Sequence, residues 1–275
     1  LLMGFGFPLA NAIIQRAEMS VGRRAGVLYL ANTAGAVCGS LAAGFVLLPS
    51  YGLQRSATVL MAIAAGAIVP LYLSEPRTSA SRVRTAAASL AIAVVALGVW
   101  LLRPADVLIQ KALGLPKNNE RVLTIDDGLT EVIAVTEVPT GRTLVTNGHA
   151  MSSTMPMSQR YMRSLAHIPL LSMDAPQSVL VIGFGVGNST QAATLHPSVT
   201  RVELADLSRD ILAHAAYFAS GNKDVLHHPR LAVYINDGRQ HLQMQSPASY
   251  DLITLEPPPI AYAGVGALYS QEFYE

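Results

Sequence analysis

The sequence predicts a multi-pass α-helical membrane region followed by an α/β domain with a parallel, doubly wound sheet. Two observations lead to this prediction. Long apolar runs without charged residues occupy the chain before Arg103, where most of its excess of hydrophobic residues lies. After Arg121, short runs of β-forming residues alternate with helical segments, which is the pattern of strands joined by crossover helices.

Composition narrows the classes of function. Charged residues make up only 13% of the 275 residues and hydrophobic ones 51%, which is unusual for a wholly soluble protein. The net charge of +1 gives no indication of a nucleic-acid partner, and we expect none. Cys38 is the only cysteine, which excludes a disulfide framework. His149, His227 and His228 lack the spacing of metal ligands, so no metal site is expected.

The apolar runs before Arg103 are separated by loops that contain arginine. A run of about 20 apolar residues is long enough to cross the hydrocarbon core of a bilayer. Buried helices of a large soluble protein are the alternative, and a signal peptide is the alternative for the first run. The predicted apolar runs are 1–14, 25–48, 56–73 and 85–102, the basic loops are 15–24 and 74–84, and a turn is predicted at 49–55.

The chain begins without methionine inside an apolar run and ends at Glu275 inside what reads as a new helix. We therefore expect a fragment cut at both ends. Between the membrane region and the α/β domain, a linker is expected to hold a short amphipathic helix at 107–113. Residues 121–148 then predict a hairpin or small meander, with turns at 126–128, 139–141 and 147–148.

A glycine-rich turn predicts a site for an adenosine-type cofactor. The buried strand 179–182 runs into Gly183, Gly185 and Gly187, a helix is expected at 191–195, and Asp206 follows the next strand. Glycines let the backbone approach a ligand closely, and an acid about 20 residues further on can accept the ribose hydroxyls. The alternative is a glycine turn that serves packing alone, with Asp206 as a solvated strand end.

Three acids are expected at the ends of successive strands. Asp206, Asp237 and Glu256 each follow a run of β-forming residues, as Gly183 does. The carboxyl ends of parallel strands form one edge of a sheet, where ligands of such folds bind. The pattern therefore gathers these residues at one site. The remaining expected elements are helices at 161–171, 208–218 and 239–244 and strands at about 202–205, 231–235 and 250–255.

An ordered set of motifs resembles the spermidine synthases, which are the polyamine aminopropyltransferases of polyamine biosynthesis. These motifs are YMRSLAHIPLL at 161–171, the glycine strand, Asp206, DGR at 237–239, YDLI at 250–253 and LYSQEFYE at 268–275. The resemblance covers residues 121–275. Upstream, GVLYLANTAG at 26–35 is similar to the membrane-fused branch of the family, in which a transporter-like helical bundle precedes the synthase domain.

The resemblance implies a small N-terminal β-hairpin subdomain before a Rossmann-like, class I methyltransferase-type fold. The expected division is a transmembrane region at 1–103, a linker at 104–120, a β subdomain at 121–160 and the Rossmann-like domain at 161–275, truncated at its C-terminus. The implied cofactor is decarboxylated S-adenosylmethionine or S-adenosylmethionine, used as a substrate without a metal. The partners are a small-molecule amine or other acceptor and the lipid bilayer, and a homo-oligomer is left open.

The resemblance also implies roles for single residues. Glu256 falls on the family's catalytic aspartate, which deprotonates the attacking amine; the alternative is an acid that only caps a turn. Asp206 matches the family's ribose-binding glutamate, and Asp237 with Gly238 matches the pair that reads adenine. The implied cofactor-binding residues are Gly183, Gly185, Gly187, Asp206, Asp237 and Gly238.

Three positions depart from the family pattern. Val186 replaces an aspartate of the glycine loop that grips the aminopropyl ammonium, Met162 replaces a histidine, and Pro259 replaces the second acid of a DxxDP motif. A cationic diamine would lose charge-assisted hydrogen bonds there, each worth about 1.5–3 kcal/mol. The nucleoside half of the site therefore looks intact and the polyamine half does not.

The sequence leaves three functions open. The first is a spermidine synthase-like transferase that moves an aminopropyl group to an amine. The others are an S-adenosylmethionine-dependent methyltransferase and a non-catalytic nucleoside-binding regulatory domain on a transporter-like membrane protein. We expect a multi-pass protein of the cell membrane with a cytoplasmic soluble domain, because adenosyl cofactors are made there. The arginine-rich loops argue for the opposite orientation by the positive-inside rule.

Overall fold

The computed structural model describes residues 21–67, 80–104, 107–116, 119–128, 131–257 and 265–274. The predicted apolar run at 1–14, most of the basic loop 15–24, most of the basic loop 74–84 and Pro259 lie outside these residues. The chain divides into two units, Leu1–Ala105 and Asp106–Glu275.

The first unit is helical in its described residues. Two stretches, Ala25–Gly66 and Val83–Leu101, are long and apolar enough to cross a membrane by length and composition. Large apolar side chains such as Phe45 and Ile92 are exposed along them, at 77% and 70%. The helices are α1 (Val21–Ala42), a π-helical segment (Ala43–Leu47), α2 (Leu48–Gly66) and α3 (Ala80–Leu101).

The turn predicted at 49–55 is present only as a break in helical geometry at Gly52, where two helical segments meet at a kink. Pro49 lies in the first turn of α2, directly after the π-helical segment. Gly52 alone departs from helical geometry, with φ 70° and ψ 176°, a conformation that glycine adopts without a side-chain clash. The signals that predicted a turn therefore produce a kink within the helix.

Side-chain hydrogen bonds link α2 to α3 and to the residues that follow α3. Trp100 Nε1 donates to Thr58 Oγ1 at 2.8 Å. Gln54 Nε2 donates to the Pro104 carbonyl oxygen at 2.9 Å. Gln54 precedes Thr58 in α2, whereas its partner Pro104 follows Trp100, the partner of Thr58. The two helices therefore run antiparallel.

The second unit begins with the short helix α4 (Val107–Leu113), as predicted, and a four-stranded antiparallel sheet. Its strands follow one another in the order of the chain, so the predicted meander is confirmed. The side chains of Ile133, Val135 and Leu144 on its inner face are fully buried. The strands are β1 (Arg121–Asp127), β2 (Val132–Val138), β3 (Gly141–Thr146) and β4 (His149–Ser153).

A parallel four-stranded sheet follows, in the spatial order β7-β6-β5-β8, which confirms the predicted α/β class. The chain moves outwards from β5 to β7 and then returns to the other side of β5, so the strand order reverses between β5 and β8. Ligands of such sheets bind outside the carboxyl ends of the strands at this point. The strands are β5 (Ser178–Ile182), β6 (Arg201–Asp206), β7 (Leu231–Ile235) and β8 (Leu252–Leu255).

Three helices of this part differ from the prediction. The helix expected at 161–171 begins earlier, at Pro156. The helix expected at 208–218 is a short helix followed by a 3₁₀ turn, with a bend at His214, whose ring contacts Asp126 of β1 and the Asp210 carbonyl. The helix expected at 191–195 begins earlier, directly after Gly187. The helices are α5 (Pro156–Ser172), α6 (Asn188–Thr194), α7 (Arg209–Ala213), α8 (Ala219–Asn222), α9 (Gly238–Gln243) and α10 (Gln271–Tyr274), with 3₁₀ turns at Ala215–Phe218, Val225–His227 and Val265–Tyr269.

Candidate active site

The parallel sheet places three of the predicted residues at one level. Ile182 of β5 pairs with Ala205 of β6 and with Leu255 of β8. The next residue on each strand is therefore Gly183, Asp206 or Glu256, at the carboxyl edge of the sheet. On the outer strand, Ile235 pairs with Asp206, so Asp237 lies in the loop just beyond that edge.

Asp206 is buried and binds the glycine loop. It is 6% exposed, and its Oδ2 accepts a hydrogen bond from the Phe184 amide at 2.6 Å. Its Oδ1 accepts from the Ser208 amide at 2.8 Å. Burial raises the pKa of the Asp206 carboxyl, against the lowering effect of these two amides. The alternative of a solvated strand end is wrong; the ribose contact stays a prediction.

The three glycines of the loop have different surroundings. Gly183, with φ 87°, would leave open space around a Cβ atom. A Cβ at Gly185 would lie 2.9 Å from Ser152 Oγ. A Cβ at Gly187 would lie 2.8 Å from the Phe184 ring and 2.9 Å from Asn222 Nδ2. Packing inside the protein therefore requires Gly185 and Gly187, whereas Gly183 leaves room for a ligand at the sheet edge.

Val186 faces the interior rather than the edge of the sheet. Its side chain is fully buried in a cluster that includes Ile133 of β2 and Phe218. Its amide donates to Ser152 Oγ at 3.2 Å, and its carbonyl oxygen accepts from Asn222 Nδ2 at 2.9 Å. Val186 stands where the family pattern has a ligand-binding aspartate. Its amide and carbonyl are hydrogen-bonded within the protein, and its side chain is packed in the interior.

Asp237 and Gly238 begin α9. Asp237 Oδ1 accepts from the Gln240 amide at 3.0 Å, which caps the helix. Gly238 is buried, and a Cβ there would lie 2.3 Å from Ile182 Cγ2. The absence of a side chain at Gly238 therefore lets the start of α9 approach the end of β5. Whether the pair reads adenine stays a prediction.

Glu256 follows β8 directly, and the Tyr161 phenol of α5 lies near its carboxyl. Partial burial raises the pKa of the Glu256 carboxyl, and the nearby Tyr161 phenol lowers it. The nearby carboxylate in turn raises the pKa of the Tyr161 phenol. Tyr269 lies close by and donates its hydroxyl proton to the Pro257 carbonyl oxygen at 3.2 Å. A carboxylate with a raised pKa beside a phenol is suited to accept a proton.

Sequence reasoning did not single out Tyr161 as a site residue. It is 54% exposed and belongs to a helix that precedes the glycine strand, far from Glu256 in the chain. The signal that could have found it is the motif at 161–171, which begins with this tyrosine.

Met162 lies beneath the glycine loop. Its thioether sulfur accepts hydrogen bonds from Ser152 Oγ at 3.2 Å and from Asn188 Nδ2 at 3.4 Å. The side chain at the family's histidine position is therefore held by β4 and α6. Within the described part of the chain, no group of three or more His, Cys, Asp or Glu residues could hold a metal ion.

Comparison with known proteins confirms the resemblance. Residues 158–275 match the family model of the spermine/spermidine synthase domain. The polyamine aminopropyltransferase of Corynebacterium efficiens is 29% identical over 287 residues, which cover 100% of this chain and 53% of that protein. The Mycobacterium tuberculosis polyamine aminopropyltransferase is 27% identical, over 99% of this chain and 53% of its own length. The chain thus spans about half the length of these curated relatives.

A solved structure shows the same fold. The crystal structure of a spermidine synthase in complex with the transition state analogue AdoDATO superposes with a TM-score of 0.52 at 24% identity. The match covers 56% of this chain and 52% of that one. The α/β part therefore has the spermidine synthase fold.

Proposed function

We propose that this chain, whose residues 158–275 match the spermine/spermidine synthase domain, binds decarboxylated S-adenosylmethionine and transfers its aminopropyl group to an amine. One observation supports this above all others: Gly183, Asp206 and Glu256 lie at one level of the carboxyl edge of the sheet, where the strand order reverses. The glycine loop, a nucleoside-binding acid and a base would thus meet at one edge of the sheet.

The donor would lie along Gly183 and Asp206. The open space at Gly183 would let the nucleoside approach the backbone, and Asp206 would accept the ribose hydroxyls with the lone pairs left by its two amide partners. Leu207, the next residue, is 74% exposed and would offer an apolar surface for the adenine ring. Asp237 and Gly238 would read the edge of that ring.

Glu256 would act as the base. An ammonium must lose a proton before its nitrogen lone pair can attack the methylene carbon beside the sulfonium. The new C–N bond forms as the C–S bond breaks. The electron pair of the broken C–S bond stays on sulfur, which gives neutral methylthioadenosine. The proton goes to Glu256, and the nearby Tyr161 phenol would stabilise the ionised form of that carboxylate.

We expect putrescine to be a poor acceptor. Positioning of two reactants can contribute about 7–11 kcal/mol to lowering a barrier. Val186 and Met162, which stand where the family has polar groups, are both engaged inside the protein. Neither offers a charge to a diamine, so the site would favour a less cationic or more apolar amine.

We further propose that the helical unit anchors the protein in the cell membrane in several passes, with the α/β unit in the cytoplasm. Two stretches of suitable length and hydropathy support the anchor. Helix α3 runs without interruption from Ala80 to Leu101, which argues against a re-entrant segment there. A cytoplasmic α/β unit would therefore place the basic loop 74–84 outside, against the positive-inside rule.

The test is methylthioadenosine release by the full chain in detergent, with decarboxylated S-adenosylmethionine and a panel of amines. We expect turnover with at least one neutral or apolar amine, little with putrescine, and loss in Glu256→Gln but not in the control Glu272→Gln. Putrescine turnover at about 1 s⁻¹ or faster would contradict the acceptor preference. Methyl transfer from S-adenosylmethionine would favour a methyltransferase, and binding without turnover a regulatory domain.

A further inference from the structure

One hydroxyl group of the small β-sheet is hydrogen-bonded to the glycine loop, beside the apolar packing of Val186 against Ile133 and Leu144. Ser152 of β4 is 8% exposed, and its Oγ accepts a hydrogen bond from the Val186 amide at 3.2 Å. A Cβ atom at Gly185 would lie 2.9 Å from the same oxygen. The hydroxyl therefore touches the two central residues of the loop.

The neighbours of Ser152 orient this hydroxyl. Its proton points to the sulfur of Met162, with Oγ and Sδ 3.2 Å apart. A hydroxyl has one proton and two acceptor lone pairs, so donation to sulfur leaves a lone pair for the Val186 amide. Asn188 Nδ2 also donates to Met162 Sδ at 3.4 Å, which fixes the sulfur.

The loop needs this acceptor because of its shape. Gly185 has φ 54°, and Val186 is fully buried, so its amide has no access to water. A buried amide without an acceptor is costly, and a glycine-rich loop can turn to find another partner. Such a rotation of the loop backbone would move Gly183 and Phe184. The Phe184 amide is the group that binds Asp206.

We propose that Ser152 is a positioning residue, which holds the glycine loop from the small β-sheet in the shape that binds the adenosyl ligand. The inference rests on the proposed function for the identity of the ligand. The contact between Ser152 and the loop does not depend on it.

Ser153 provides a matched control. It is the next residue of β4 and is equally buried, at 4% exposed. Its hydroxyl donates to Ser158 Oγ of α5 at 2.7 Å and accepts from the Met155 amide at 3.4 Å, whereas the Ser152 hydroxyl accepts from the Val186 amide of the glycine loop. Ser153→Ala therefore removes a buried hydroxyl from the same strand and leaves the Val186 amide with its acceptor.

The experiment compares the full chain in detergent with Ser152→Ala and Ser153→Ala. Calorimetric titration gives the affinity for methylthioadenosine, hydrogen exchange gives the protection of the Val186 amide, and thermal unfolding gives the stability. We expect Ser152→Ala to bind about fivefold more weakly and to exchange the Val186 amide faster. Ser153→Ala should keep the wild-type affinity and protection even where its stability falls.

Two results would overturn the proposal. One is Val186 amide protection in Ser152→Ala equal to that of the wild type, and the other is an unchanged affinity of Ser152→Ala for methylthioadenosine.

Met162→Leu provides a second variant, since it keeps the side-chain volume and removes the sulfur acceptor. It should also lower the hydrogen-exchange protection of the Val186 amide, to a smaller degree than Ser152→Ala does. If the wild type binds no adenosyl ligand, the proposed function fails, and the exchange rates alone decide whether Ser152 holds the loop.

Discussion

At the scale of single residues, the two acids on either side of β5 have different environments. Asp206 is buried and accepts two backbone amides, so it holds the glycine loop as well as facing the expected nucleoside site. Glu256 is more exposed and lies near the phenol of Tyr161. The roles proposed for them fit this difference, because Asp206 is fixed in place whereas the Glu256 carboxyl is open to solvent.

The pH dependence of turnover should report on Glu256. Its folded-state pKa is raised above the ordinary value of 4.5, and a base must be ionised to accept a proton. The rate should therefore fall as pH falls through this raised pKa. Tyr161→Phe removes the phenol hydroxyl that lowers the pKa of Glu256, so the acid limb of the kcat/KM profile should move to higher pH.

The control for this shift is Tyr274→Phe, which removes an exposed phenol of α10. Its profile should match that of the wild type. An acid limb that stays in place in Tyr161→Phe would show that the phenol does not set the ionisation of Glu256.

The sequence located the backbone of the site better than its supporting side chains. Gly183, Asp206 and Glu256 could be predicted because each follows a run of β-forming residues, and parallel strands end at a common edge. Ser152 and Tyr161 could not be derived from local patterns, because their partners are distant in the chain. Such contacts depend on how β4 and α5 pack against the loop and sheet, which periodicity does not specify.

At the scale of elements, the approach of α9 to β5 shapes the part of the candidate site that holds Asp237. Gly238 opens the helix within van der Waals distance of Ile182, the last residue of β5. Asp237 caps the helix directly before it. The position of Asp237 therefore depends on the lack of a side chain at Gly238.

Gly238→Ala should destabilise the protein by about 1–3 kcal/mol, the usual cost of overpacking, because its Cβ would lie 2.3 Å from Ile182 Cγ2. Denaturant unfolding of the full chain measures the change. Gly266→Ala is the control, since a Cβ there would meet nothing within 4 Å. Equal stability of the two variants would mean that Ile182 moves aside at no cost.

Elements with a strong pattern were predictable and interrupted ones were not. The strands β5 and β6 are buried along most of their length, and both appear close to where the sequence placed them. The helix expected at 208–218 is broken at His214, whose ring contacts Asp126 from a different strand. Gly52 interrupts the helical geometry inside the predicted turn, where glycine adopts the required φ without a side-chain clash.

At the scale of the whole molecule, the chain joins a helical unit with exposed apolar surfaces to an α/β unit with a buried core. A lipid bilayer would cover the apolar residues of the first unit.

The full chain should remain in the membrane fraction after alkaline carbonate extraction, because Ala25–Gly66 and Val83–Leu101 are long and apolar enough to cross a bilayer.

Protease protection tests the orientation. In inside-out vesicles, added protease should digest a cytoplasmic α/β unit. A fully shielded α/β unit would place it on the other side and contradict the proposed orientation. Release of the chain by carbonate would contradict the anchor itself.

The most direct test of the central claim is calorimetric titration of the full chain in detergent with decarboxylated S-adenosylmethionine. Asp206→Ala is compared with Asp251→Ala, which removes an acid that also accepts backbone amides, but at the opposite end of β5. We predict saturable binding, weakened about tenfold or more in Asp206→Ala and unchanged in Asp251→Ala. Absence of saturable binding, or equal affinity of Asp206→Ala and the wild type, would contradict an adenosyl site at the carboxyl edge of the sheet.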